Sequence, residues 1–168
     1  LAGGTESMSM VPMMGNKVAM APSVFDNEHV AIAYGMGITA EKVAEEWKVS
    51  REDQDAFAAE SHRRALAAIA AGEFKAEISP YAVRARVPVL GGNTVKLIEK
   101  TVDTDEGPRA DTSVEGLAKL KPVFRMGGSV TAGNSSQMSD GAGAVLLASE
   151  KAIKQYGLTP LARFVSFS

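Results

Sequence analysis

The sequence contains no cysteine, and that single absence removes disulfide staples, thiolate metal sites and a cysteine nucleophile together. It also leaves the redox compartment unmarked. No sign of charge is in excess: 18 basic side chains against 20 acidic ones give a formal net charge of -2, so there is no basic field to hold nucleic acid or an anionic membrane surface. Apolar runs are short as well. A stretch such as Ala142–Ala148 falls far below the ~20 residues a membrane-spanning helix requires. The chain opens on Leu1-Ala2-Gly3-Gly4 with neither an initiator methionine nor a basic-then-apolar leader, so it is expected to be a piece of something longer. The default expectation for its setting is the cytoplasm. What remains is 168 residues, 45% of them hydrophobic, enough to bury one good core or two small ones.

Residues 10–29 carry Met10, Met13, Met14 and Met20 among prolines and glycines with no period of 2 or 3.6, the pattern of an irregular arm. Packing on its own domain and contact with another subunit remain equally open for these adaptable side chains. From Thr39 the pattern turns helical, with Thr39 as cap, Glu41 in the first turn and Val43, Ala44 and Trp47 on one face. Ser50-Arg51-Glu52-Asp53 resembles a capping box and opens an alanine-rich helix that Gly72 ends. Glu77–Val83, Arg86–Leu90 and Val95–Glu99 read as short strands, with Gly91-Gly92-Asn93 turning the second into the third. Residues 103–109 are a charged loop, and Val114–Leu120 is one or two helical turns.

The tail has a different pattern. Residues 141–148 form a small-then-aliphatic run typical of a strand covered on both faces. Ser149 caps a helix to Tyr156 that Gly157 ends, and Leu161–Phe167 makes another strand. That is a β-α-β unit of a layered α/β core, interrupted by an inserted α+β domain. The boundaries expected are 1–8 for the end of a core strand, 9–128 for the insertion and 129–168 for the return to the core.

Three motifs are decoys. Gly35-Met36-Gly37-Ile38-Thr39-Ala40 fits a dinucleotide fingerprint, but residues 51–71 stay helical where a second strand ending in an acidic residue is needed. His62 lies on a polar helix face and reads as a solvated residue, while His29 has Asp26 nearby but no nucleophile. Ser135 lacks the closing glycine of a hydrolase elbow.

The informative stretch is Val130-Thr131-Ala132-Gly133-Asn134-Ser135-Ser136-Gln137-Met138-Ser139-Asp140-Gly141-Ala142, where small residues let a backbone or a slender ligand approach closely. Together with Ala2-Gly3-Gly4-Thr5-Glu6-Ser7-Met8-Ser9, Met36–Ala44 and Ser50–Ala58, it resembles the thiolase family. That family carries "AGG-x-ESMS" and "VTAGN-x-S-x-x-x-DGA" in the same order, and the likeness covers essentially the whole chain.

The resemblance implies a partial thiolase-like layered core with an inserted loop domain. It also implies a ping-pong acyl transfer, in which a cysteine attacks a 3-ketoacyl-CoA, acetyl-CoA leaves and a second coenzyme A takes the acyl group. In the family the nucleophilic cysteine lies upstream of the segment like Ala2–Ser9, and the base histidine, second cysteine and asparagine motif lie downstream, so no catalytic residue is expected here. Carried over by motif, Ser136 matches the serine that hydrogen-bonds pantetheine, and Ala132 and Gly133 match the backbone wall beside it. Phe124 matches an aromatic near the ligand, Arg109 an arginine at the nucleotide end, and Met36 a methionine lining the acyl and pantetheine pocket. On residues alone, Arg109 reads as a solvated loop charge and Ser136 as a turn cap; the resemblance favours ligand contact for both. Coenzyme A is then a substrate, with no cofactor or metal, and the expected assembly is a homodimer or homotetramer. Acetoacetyl-CoA-forming members commonly have histidine where Gly35 stands, which points to the 3-ketoacyl-CoA thiolases of fatty-acid β-oxidation. Acetyl-CoA C-acetyltransferase and a non-catalytic coenzyme A-binding or oligomerisation module are the alternatives.

Overall fold

A computed structural model describes residues 1–13, 15–24, 26 and 35–167; His29 and the apolar segment 30–34 lie outside them. The described elements are β1 (Ala2–Glu6), a 3-10 turn (Pro22–Val24), α1 (Met36–Glu46), α2 (Arg51–Ala71), β2 (Tyr81–Pro88), β3 (Val95–Val102), α3 (Val114–Leu117), β4 (Gly141–Val145) and α4 (Glu150–Tyr156). Mixed helix and strand place the chain in the α/β class. It divides into two compact units, one of Leu1–Met20 with Met138–Ser168 and one of Ala21–Gln137. No described helix is long and apolar enough to cross a membrane.

In the first unit β1 and β4 pair antiparallel, from Ala2 opposite Val145 to Glu6 opposite Gly141. Asp140, just before β4, ties down the chain leaving β1: it accepts the Ser9 amide at 2.8 Å and the hydroxyls of Ser9 at 2.6 Å and Ser7 at 3.3 Å. Ser149 caps α4 through the Ala152 amide, and Gly157, in the left-handed conformation, ends it. The expected strand at Leu161–Phe167 does not form. A strand needs a neighbour for its ladder, and among the described residues β4 pairs only with β1.

The second unit is organised by α2. The Ser50 hydroxyl accepts the Asp53 amide and donates to the Asp53 carboxylate, and Gly72 at φ +75° closes the far end. α1 differs from the sequence reading. It starts at Met36 on an N-cap of Gly35, so Thr39 is interior and its hydroxyl turns back to the Gly35 carbonyl. Trp47 and Val43 stay exposed, and the residue that α1 buries is Glu41. Of the three strands expected after α2, the structure has two. Glu77 and Ile78 belong to a turn that hydrogen-bonds to Phe74, and β2 begins only beyond Pro80, which has no amide proton to donate. β2 then runs unbroken through the supposed gap at residues 84–85, pairing with β3 in register from Tyr81–Val102 to Pro88–Val95. Gly91 at φ +86° makes the turn between them.

The centre of this unit is polar. Alongside Leu117 and Val130, the buried residues among those described are Glu41, Asp55 and Thr131, which burial would penalise heavily unless each were hydrogen-bonded.

Candidate functional site

The loop after Gly128 is held from two helices. Glu41 on α1 accepts the amides of Ser129 at 3.0 Å and Val130 at 2.9 Å and the Ser129 hydroxyl at 3.3 Å. Burial works against its charge, but those donors and the nearby Arg125 guanidinium outweigh it and hold the carboxyl below the ordinary glutamate value. The approach requires Gly128, where an added Cβ would stand 2.2 Å from Glu41 Oε1. Asp55 on α2 takes the other end of the loop, accepting Asn134 Nδ2 at 3.0 Å while Arg51 Nε donates to it at 2.8 Å. Arg51 also donates through Nη2 to the carbonyls of Leu117 and Leu120.

Within the loop Asn134 Oδ1 accepts the Thr131 amide at 2.7 Å, and Asn134 Nδ2 donates to the Ser129 carbonyl at 3.1 Å. Thr131 Oγ1 accepts the amides of Gly133 and Asn134. Ser135 Oγ donates to the Thr131 carbonyl at 2.7 Å, so it is a bracing hydroxyl of the loop. Ser136 follows immediately, exposed, and its hydroxyl has no hydrogen-bond partner among the described residues.

The six residues expected at the site fall into three places. Arg109, Ala132 and Gly133 line one cleft of about 340 Å³ with Asp111, Ser113 and Leu117. Phe124 and Met36 both lie by the start of α1: the Phe124 ring packs where a Cβ on Gly37 would stand, 2.2 Å from Cδ1, while Met36, the first residue of the helix, lines a groove with Ala40, Val43 and Val49. Ser136 lines neither. The smallness of Gly133 is taken up by the protein itself, since a Cβ there would come within 2.4 Å of Leu120 Cδ1 and 2.5 Å of Leu117 Cδ2. Arg109 is exposed and paired with Asp111, at 3.2 Å from Nε and 2.9 Å from Nη2, which lowers the Asp111 pKa. Its amide donates to His62 Nδ1 at 3.1 Å. His62 is thus half-buried and fixes the Arg109 loop to α2, a structural task that the reading of it as a solvated residue missed.

Sequence reasoning also missed Glu41, Asp55 and Asn134. The contacts that join helix to loop span 79 to 89 residues, so no local pattern announces them. One available signal was the Gly127-Gly128 pair directly before Ser129, which marks a close backbone approach.

Residues 1–151 match the family model described as the thiolase N-terminal domain. The chain belongs to the thiolase family of acyltransferases. It is 46% identical to the acetyl-CoA acetyltransferase of Pseudomonas aeruginosa, over all of this chain and 43% of that protein. It is also 46% identical to the 3-ketoacyl-CoA thiolase of Bacillus subtilis, over all of this chain and 42% of that protein. Among solved structures it is similar to the dimeric peroxisomal thiolase of Saccharomyces cerevisiae, with a TM-score of 0.68 and 36% identity over 96% of this chain and 39% of that one. The chain therefore spans less than half the length of the curated relatives it matches.

Proposed function

We propose that this chain is the coenzyme A-binding part of a thiolase that cleaves 3-ketoacyl-CoA with coenzyme A, giving acetyl-CoA and an acyl-CoA two carbons shorter. The observation that carries the reading is the braced loop of residues 129–135. It leads into the exposed Ser136, whose hydroxyl has no hydrogen-bond partner among the described residues, while Ala132, Gly133 and Arg109 line one cleft. A slender amide-bearing arm fits a wall of small residues and a free hydroxyl, and a guanidinium suits a phosphate or an adenine face.

In this reading residues 9–128 are an insertion in the first thiolase half, and the chemistry lies outside the chain. A cysteine thiolate adds to the C3 carbonyl, the C2–C3 bond breaks as acetyl-CoA leaves with a proton on C2, and the thiol of a second coenzyme A takes the acyl group. This chain's residues bind and orient. With no cysteine, the chain alone, given acetoacetyl-CoA and coenzyme A, yields only the blank rate of thioester loss. The two relatives are equally similar, but one position favours degradation over acetoacetyl-CoA synthesis. Gly35 caps α1 with nothing among the described residues within 4 Å of where a Cβ would sit. A Cβ would be tolerated there, so packing among the described residues does not dictate the glycine. A dimer, by analogy with the yeast structure, is the proposed assembly.

Ser136 provides the test. In the full-length enzyme, Ser136→Ala loses one hydrogen bond and weakens coenzyme A binding about threefold to tenfold, whereas Ser136→Leu obstructs the arm and weakens it far more. Calorimetry on both variants, with circular dichroism to confirm folding, decides the matter. Wild-type affinity in both would remove the coenzyme A reading of this loop.

A further inference from the structure

We propose that Glu41 and Asp55 are positioning residues for coenzyme A, clamping the two ends of the 129–134 loop so that Ala132, Gly133 and Ser136 are presented in a fixed shape. The proposal rests on the coenzyme A reading of that loop and adds to it the groups that give the loop its form.

Both carboxylates are almost completely buried, Glu41 at 1% exposure and Asp55 at 2%. A buried carboxylate normally answers to a cation, but among the described residues Glu41 makes no hydrogen bond to one. Arg125 donates to Glu45 at 2.9 Å instead. The donors that Glu41 receives from the described residues come from Ser129 and Val130. Asp55 divides its oxygens between Arg51 Nε and Asn134 Nδ2, and Asn134 in turn fixes Thr131 and Ser129. α1 and α2 are thereby joined to one loop by its backbone and by one amide side chain, with Gln54 of α2 adding a bond to the Ser129 hydroxyl at 2.9 Å. Such an arrangement fixes loop conformation more than it adds stability, because each donor would be equally well served by water if the loop were free. A binding surface held in advance in its bound shape avoids the ordering cost that a mobile loop would incur.

The same geometry separates this role from simple folding support. Glu41→Gln keeps the volume but exchanges one acceptor oxygen for an NH₂ group facing donors, and Asp55→Asn sets an amide against the Asn134 amide. In the full-length enzyme, each variant is expected to raise the dissociation constant for coenzyme A, and KM with it, about tenfold. Turnover at saturating coenzyme A should stay within about twofold, with binding measured by calorimetry well below the melting temperature. A lowered melting temperature with wild-type affinity would overturn the proposal, since a structural role alone predicts that result. Failure of both variants to fold would overturn it too, by showing that the carboxylates hold the unit and not the loop. Ser136→Leu, run alongside, separates the two layers of inference. If it weakens coenzyme A binding while Glu41→Gln and Asp55→Asn do not, only the positioning role falls. If it leaves affinity unchanged, the coenzyme A reading falls and the positioning role with it.

Discussion

The loop of residues 128–134 and the β1/β4 pair are both built largely from glycine, alanine and small polar residues, yet the same composition serves opposite ends. In the loop, smallness is used up within the chain: Gly128 backs onto Glu41, and Gly133 onto Leu117 and Leu120. In the strand pair, Gly4, Gly141 and Gly143 meet nothing within 4 Å among the described residues, and every residue of both strands is exposed. Leu146 and Leu147, just past β4, are 71% and 72% exposed. A run of small residues therefore records a close approach without saying what approaches. In the loop it is this chain's own side chains, and at the strands, among the described residues, it is the pairing strand alone, where a Cβ on Gly3 would stand 3.0 Å from the Gly143 carbonyl oxygen.

Glycine substitutions should break or sharpen that contrast most strongly. Gly128→Ala drives a methyl into a buried carboxylate and is expected to cost about 1–3 kcal/mol in urea unfolding, while Gly4→Ala in the same chain should stay within about 0.5 kcal/mol. Repeating Gly4→Ala in the full-length enzyme sharpens the comparison, because a cost that appears only there means the strand pair is completed by residues outside this chain. Equal costs for Gly128→Ala and Gly4→Ala would end the distinction.

Acid should produce a smaller separation. The Glu41 carboxyl titrates below the ordinary value despite its burial, through its amide and hydroxyl donors and Arg125. Asp140 titrates low because of the Ser9 hydroxyl and amide, helped by Ser7. For a carboxylate whose folded pKa is depressed, the unfolded chain binds more protons. The stability it contributes is present above the unfolded value of about 4 and is lost as pH falls through the folded one. Unfolding measured from neutral pH down to about pH 3 should grow less pH-dependent in Glu41→Gln. Asp140→Asn should change the slope less, because its exposed hydrogen bonds exchange readily with water. Equal flattening in the two would mean that burial adds nothing to the Glu41 bracket.

The smallest effect belongs to Arg109, which lines the cleft beside the braced loop. In the full-length enzyme, Arg109→Ala is expected to raise KM for coenzyme A about threefold with turnover nearly intact, because a remote contact felt equally in ground and transition states acts on binding alone. A fall in turnover at unchanged KM would remove Arg109 from the nucleotide end.

Legibility followed the range of the interactions. The caps at Ser50, Gly72, Ser149 and Gly157 were readable because each is satisfied within four residues. The start of α1 was misplaced because threonine is a strong cap signal, whereas here the glycine four residues earlier takes that position and Thr39 bonds backward to it. The sequence reading divides β2 at Arg84 and Ala85, but on an exposed hairpin Arg84 is held by Glu99 across the register, a partner that alternation along one strand cannot reveal. Of the candidate site, Arg109, Ala132 and Gly133 came from the resemblance and share a cleft, whereas Phe124 packs on Gly37 and Met36 lines a separate groove. The carboxylates that shape the loop are ordinary helix-surface residues by any local measure, and only the distant loop makes them otherwise.

That distance also sets an order of events. α1 and α2 precede the loop by 79 to 89 residues at their points of contact, which at roughly 5–20 residues per second is several seconds of synthesis. Until Val130 and Asn134 are made, Glu41 and Asp55 have no loop to hold. The stretch proposed to receive coenzyme A is thus among the last parts of this unit to be synthesised, and a chain ended before residue 129 would carry both brackets with nothing between them.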